Sequence, residues 1–112
     1  MIYSMEINTS IAKIDVVKFN GTGNFKLWQR RVKDLLVQQG LVKALYGKAK
    51  KPETMTDDKW EELDMKAVST IGLCLANELM YDVMDDVSIA TIWLKLESRY
   101  MSKSLINKLN LK

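Results

Sequence analysis

The chain has 112 residues, of which 47% are hydrophobic and 28% charged, a composition typical of one globular domain. It contains no histidine, which excludes a Ser-His-Asp triad and histidine metal ligands. The single cysteine, Cys74, excludes an intramolecular disulfide and a cysteine zinc knuckle. No apolar run reaches the roughly 18 residues of a membrane span, and the N-terminus lacks a signal-peptide profile. We therefore expect a cytoplasmic protein without a membrane partner.

The net charge of +3 hides three blocks of alternating sign. Residues 1–52 hold ten Lys/Arg against three Asp/Glu, residues 53–86 hold two against ten, and residues 87–112 hold five against one. A dipolar protein of this kind can steer toward copies of itself or toward an anion. The alternative is that these charges are solvated faces that keep the domain soluble.

The first residues carry little pattern, and we expect residues 1–16 to form a weakly ordered, extended N-terminal arm. A short apolar run follows at Ile14, Val16, Val17 and Phe19, and Asn20–Gly23 breaks it. The run predicts either a short strand or an extended segment packed on the domain.

The first helix is predicted to begin near Asn24, as its N-cap, and to end before Gly40 at the C′ position. Its apolar stripe contains Trp28, Val32, Leu35 and Leu36. Four polar residues are predicted to project from the other side: Lys26, Gln29, Arg30 and Lys33. The segment from Leu41 to Tyr46 predicts one and a half further turns.

A polar connection leads to a second N-cap at Thr56, followed by Asp57 and Asp58 where the helix dipole favours acid. The apolar face of this long helix contains Trp60, Leu63, Ala67, Ile71, Cys74 and Leu75. Gly72 lies within it and permits close packing. A break near Asn77 precedes another helix, which ends at Asp85–Asp86 because acids are unfavourable at a C-terminus.

Ser88 is predicted to cap the next helix, whose stripe contains Ile89, Ile92, Trp93, Leu96 and Tyr100. A last helix is indicated by Leu105, Ile106, Leu109 and Leu111. Together these patterns predict an all-α fold, a compact bundle of about five to six helices.

Catalytic interpretations are weak. The paired carboxylates at 57–58, 61–62 and 85–86 lie at helix ends or on exposed faces, where capping and solubility explain them. The glycine-rich segment 20–24 lacks the Gly-Lys-Ser/Thr of a P-loop. Cys74 and the three tryptophans fall in apolar stripes and are expected in the core. We therefore expect no enzyme, no cofactor and no metal site.

Two basic clusters could hold phosphates without reading sequence. The candidate phosphate contacts are Arg30, Arg31, Lys33, Lys48, Lys50 and Lys51. No exposed aromatic is interleaved with them, so a base-stacking platform is not indicated.

Several motifs in order closely resemble the start of Gag from plant copia-type LTR retrotransposons. They are KFNG at 18–21, WQRR at 28–31, QQGL at 38–41, KPETM at 51–55 and YMSKSL at 100–105. The resemblance covers roughly residues 17–112, and the order and spacing of the motifs make it specific.

The resemblance implies a helical domain like the N-terminal region of a retroviral capsid, spanning 17–112. In that family Gag self-associates into a shell around the element's RNA, and a second helical capsid region follows. A CCHC zinc knuckle and the enzymes come later in the polyprotein. We expect this chain to hold the first lobe without the second.

The resemblance favours a structural protein that acts by self-association in particle assembly. The contact predicted from charge sets Lys26, Gln29, Arg30 and Lys33 of one copy against Glu61, Glu62 and Asp64 of another. The last helix could also join two copies in a dimer. Two alternatives remain: a host-captured Gag fragment that binds a different protein, and non-specific RNA binding through the basic first block.

Overall fold

The computed structural model describes residues 18–101, which form an all-α fold, as predicted. Its four α-helices are α1 (Phe25–Gln38), α2 (Asp57–Leu73), α3 (Asn77–Val83) and α4 (Ile89–Leu96). Two 3₁₀ turns, Val42–Tyr46 and Lys48–Lys50, connect α1 to α2, and a π-helical turn, Glu97–Met101, continues α4. The helix count differs from the prediction because the short segment after α1 is a 3₁₀ turn. The predicted last helix lies outside the described residues.

Local signals define both ends of α1. The side-chain oxygen of Asn24 accepts a hydrogen bond from the backbone N–H of Leu27 at 2.9 Å, so the predicted N-cap is confirmed. At the other end Gly40 has a φ of 74°, and the N–H of Leu41 donates to the carbonyl of Leu36 at 2.8 Å. This arrangement is a Schellman motif, which satisfies the last carbonyl groups of the helix.

Helix α2 begins at its predicted cap, because the Thr56 hydroxyl accepts a hydrogen bond from the Lys59 N–H at 3.2 Å. Near its end Gly72 lies against α3: a Cβ placed there would meet the Met80 sulfur at 3.4 Å. The predicted close packing at this glycine is therefore confirmed.

Helix α4 begins after Ser88, as predicted, but the Ser88 side chain makes no capping hydrogen bond. The carboxylate of Asp64 takes that place and accepts a hydrogen bond from the Ile89 N–H at 2.8 Å. The predicted hydroxyl cap is therefore wrong, because a longer acceptor from α2 reaches the helix end.

Phe19 is held in an extended segment and not in a sheet. Its N–H donates to the carbonyl of Cys74 at 3.0 Å, and its own carbonyl accepts from the Ala76 N–H at 2.9 Å. Its ring lies 5.3 Å from that of Trp28 and 5.1 Å from that of Tyr100, measured between centroids. The segment before α1 is thus fixed across the junction of α2 and α3. The other residues of the predicted apolar run, 14–17, lie outside the described part of the chain.

One hydrophobic core joins all four helices to Phe19. Its fully buried side chains include Val32, Leu36, Ile71, Ile89 and Ile92. The Trp28 indole N–H donates to the Cys74 carbonyl at 3.0 Å, which satisfies the one polar atom of that ring. Within residues 18–101, no buried side-chain nitrogen or oxygen lacks a hydrogen-bond partner.

Two predictions fall on residues that the structure does not describe. The arm at 1–16 and the last helix, with its suggested role in a dimer, both lie there. The domain boundaries at 1–16 and 17–112 stay predictions.

Candidate interaction surfaces

The basic face predicted on α1 is exposed at three of its four positions: Lys26, Arg30 and Lys33. Arg30 forms an ion pair with Asp34, one turn later on the same helix, with its Nε 3.1 Å from the carboxylate. Exposed pairs of this kind contribute little to stability. Lys26 and Lys33 make no ion pair with any residue of 18–101.

Gln29 does not belong to this exposed face. It is only 9% exposed, and its amide nitrogen donates to a carboxylate oxygen of Glu97 at 2.8 Å. The prediction that Gln29 projects into solvent is wrong, because the side chain joins α1 to the π-helical turn. Its amide is engaged inside the fold.

One residue of the acidic surface predicted on α2 is not exposed either. Glu61 is exposed, and Glu62 lies between Lys59 at 3.9 Å and Lys66 at 3.3 Å. Asp64 is half-buried and caps α4 through Ile89. Of the three predicted acidic residues, Glu61 and Glu62 are therefore the two that are exposed.

The candidate phosphate contacts separate into different environments. Lys48 and Lys50 are exposed on the second 3₁₀ turn. Lys51 is half-buried: its ammonium donates to the carbonyl of Met55 at 2.7 Å and lies 3.4 Å from the Asp57 carboxylate. Lys51 thus holds the connection to α2 in place, whereas its two neighbours are available to an anion.

A groove separates the segment before α1 from α1 itself, and it encloses about 330 Å³. Its walls include Phe19, Leu27 and Trp28, and its cations are Lys18 and Arg31. Apolar walls with positively charged side chains suit an amphipathic ligand that carries negative charge. The rest of its lining comes from Thr22, Gly23 and Asn24.

The sequence pattern does not predict this groove, although it makes Arg31 a candidate phosphate contact. The missed signal is Leu27, an apolar residue that precedes the stripe of α1 and is 50% exposed. An apolar side chain on the polar side of an amphipathic helix is an indication of a contact surface.

Cys74 is 4% exposed and lies in the core, as predicted. Burial raises the pKa of its thiol, and the nearby charge of Lys18 opposes that shift. In the part of the chain that the structure describes, no three His, Cys, Asp or Glu side chains lie close enough to hold a metal ion. No helix among those residues is sufficiently long and apolar to cross a membrane.

Comparisons with known proteins agree with the motifs. The profile of the family described as gag-polypeptide of LTR copia-type matches residues 32–112. Over 100 residues the chain is 49% identical to the retrovirus-related Pol polyprotein from transposon TNT 1-94 of Nicotiana tabacum. The match covers 89% of this chain and 8% of that polyprotein, so the chain spans less than a tenth of its relative. No solved structure matches the chain.

Proposed function

Because the chain belongs to the family of gag polypeptides of LTR copia-type elements, we propose that it is a structural Gag segment that self-associates in particle assembly and catalyses no reaction. The observation that carries the proposal is the family match over residues 32–112, most of the helical fold. Its place in the cell would be the cytoplasm. The all-α fold and the absence of histidine from the whole sequence are consistent with a structural role.

The separation of charge along the chain supports self-association. Basic side chains such as Lys26 and Lys33 are exposed on α1, and acidic side chains such as Glu61 and Glu62 are exposed on α2. Opposite charges on different surfaces of one molecule favour the approach of a second copy. The contact that the sequence predicted would now rest on these residues and Arg30.

The test is sedimentation velocity on the 112-residue chain across a wide concentration range, at low and at high salt. We expect a dimer or larger species that grows with concentration and weakens with salt. A monomer under every condition would contradict the proposal. If Arg30→Glu leaves an observed association unchanged, the α1–α2 contact is wrong while self-association stands.

Non-specific RNA binding is a second candidate, favoured by the exposure of Arg31, Lys33, Lys48 and Lys50. Fluorescence anisotropy with a labelled single-stranded RNA would show binding that falls steeply with salt. Lys48→Glu with Lys50→Glu should weaken it for every RNA sequence alike. No change in anisotropy at low salt would contradict non-specific RNA binding.

A further inference from the structure

The groove beside α1 carries positive charge that the described part of the fold leaves uncompensated. Lys18 and Arg31 line it, both are exposed, and neither forms an ion pair with a residue of 18–101. Leu27 and Trp28 supply apolar lining of the same groove. The groove thus combines apolar walls with two cations.

The outer face of α3 has the opposite pattern. Tyr81 is 74% exposed, and the exposed Glu78 lies one turn before it on the same face. A second exposed carboxylate, Asp85, follows just after the end of α3. Neither carboxylate forms an ion pair with another described residue. Leu79 and Val83 bury the opposite face of the helix, so the Tyr81 face points away from the core.

Apolar surface continues beyond the end of α3, where Met84 is 58% exposed and Val87 is 85% exposed. Several neighbouring exposed apolar side chains are more typical of a contact surface than single scattered ones. Together with Tyr81, they form an apolar surface accompanied by Glu78 and Asp85, which we call the α3 face.

We propose that the α3 face of one copy docks into the groove of a second copy, with Tyr81 against Leu27 and Trp28 and the two carboxylates against Lys18 and Arg31. This inference rests on the proposed function and names a second pair of surfaces for self-association, separate from the α1–α2 contact. Charge complementarity selects the occupant: the groove carries two cations beside apolar walls, and the α3 face carries two anions beside an exposed aromatic ring.

The two surfaces differ, so the contact joins copies head to tail. A bound pair still presents one free groove and one free α3 face, on different copies. Such a contact propagates until the copies close into a ring, or it continues as an open assembly. Association should therefore proceed beyond a dimer as concentration rises.

The test uses two charge-reversed forms of the full chain, Lys18→Glu with Arg31→Glu and Glu78→Lys with Asp85→Lys. All four side chains are exposed, and circular dichroism verifies the fold of each form. We expect each form alone to associate at least about 10-fold more weakly than the wild-type chain in sedimentation velocity. An equimolar mixture should associate again, because the acidic α3 face of the first form fits the unaltered groove of the second.

The single groove form Arg31→Glu should also weaken association. Its matched control is Lys43→Glu, which makes the same change in net charge at an exposed lysine on the first 3₁₀ turn, outside the groove and the α1–α2 contact. Lys43→Glu should retain association within about 3-fold of the wild-type chain. Tyr81→Ala tests the apolar part of the contact without changing charge, and it should weaken association while the fold remains intact.

The outcomes separate this inference from the proposed function. A wild-type chain that stays monomeric overturns both. A wild-type chain that associates, with groove reversal having no effect, overturns the inference alone. If reversing the groove charges weakens association and the equimolar mixture does not restore it, something other than the α3 face occupies the groove. If nuclease treatment abolishes association of the wild-type chain, that occupant is RNA. Either result overturns the inference.

Discussion

The carboxylate of Asp64, in the middle of α2, accepts a hydrogen bond from the backbone N–H of Ile89 at the first turn of α4, at 2.8 Å. The two residues are 25 positions apart in the chain, so the cap of one helix comes from the surface of another. A negative charge at a helix N-terminus also interacts favourably with the helix dipole. This one contact fixes both the start of α4 and its position against α2.

Replacing Asp64 should therefore destabilise the fold. We expect Asp64→Ala to lower the free energy of unfolding by about 1 kcal/mol, as loss of an N-cap does, measured by urea denaturation. Asp64→Asn keeps an oxygen that can accept from the Ile89 N–H, so it should lower the free energy of unfolding by less. Glu61→Ala, at an exposed position on the same helix, is the control and should change stability by less than about 0.5 kcal/mol. Equal effects at the two positions would contradict a capping role for Asp64.

Much of the fold could be predicted because its signals are local. Asn24 and Thr56 each cap the helix that follows them, and Gly40 takes the left-handed conformation that ends α1. Each of these depends on a residue and its neighbours within four positions, which a sequence displays directly.

The side-chain roles that were missed depend on distant partners. Gln29 and Asp64 are polar residues on amphipathic helices, a pattern that predicts exposure. Their partners lie 68 and 25 positions away, and only the packing of helices brings them together. The groove is hidden for the same reason, since its walls combine α1 with the extended segment at Phe19.

The hydrogen bond between Gln29 and Glu97 should couple the two positions energetically. We expect Gln29→Ala and Glu97→Ala each to destabilise the fold, with a coupling of about 1 kcal/mol in a double-mutant cycle followed by urea denaturation. Gln38 is exposed on the same helix, and Gln38→Ala with Glu97→Ala should be additive. Additivity in the first cycle would mean that the hydrogen bond does not contribute to stability in solution.

The same substitution should have opposite effects at two glycines. Gly72→Ala, inside α2, should stabilise the fold by up to about 1 kcal/mol, because alanine is the better helix former and Met80 leaves room for a methyl group. Gly40→Ala should destabilise it by about 1 kcal/mol, since its φ of 74° is costly for a residue with a Cβ. Thermal unfolding followed by circular dichroism measures both. A loss of stability in Gly72→Ala would show that Met80 cannot adjust.

The buried thiol of Cys74 should make stability depend on alkaline pH. Burial raises its pKa in the folded chain above the ordinary value of 9.0, with the charge of Lys18 as the smaller, opposing influence. At pH values below that ordinary pKa, the Cys74 thiol is protonated in both the folded and the unfolded chain, so its burial contributes its full share to stability. As pH rises above that pKa, the unfolded chain releases the proton first, which favours unfolding until the folded thiol also ionises.

The free energy of unfolding of the wild-type chain should therefore fall relative to Cys74→Ala between about pH 8 and pH 10. Taking the difference between the two chains cancels the titration of lysines and tyrosines that they share. In Lys18→Gln the opposing charge is absent, so the decline should extend to higher pH. A difference that stays constant across this range would mean that the thiol ionises equally readily in both states, as an exposed cysteine does.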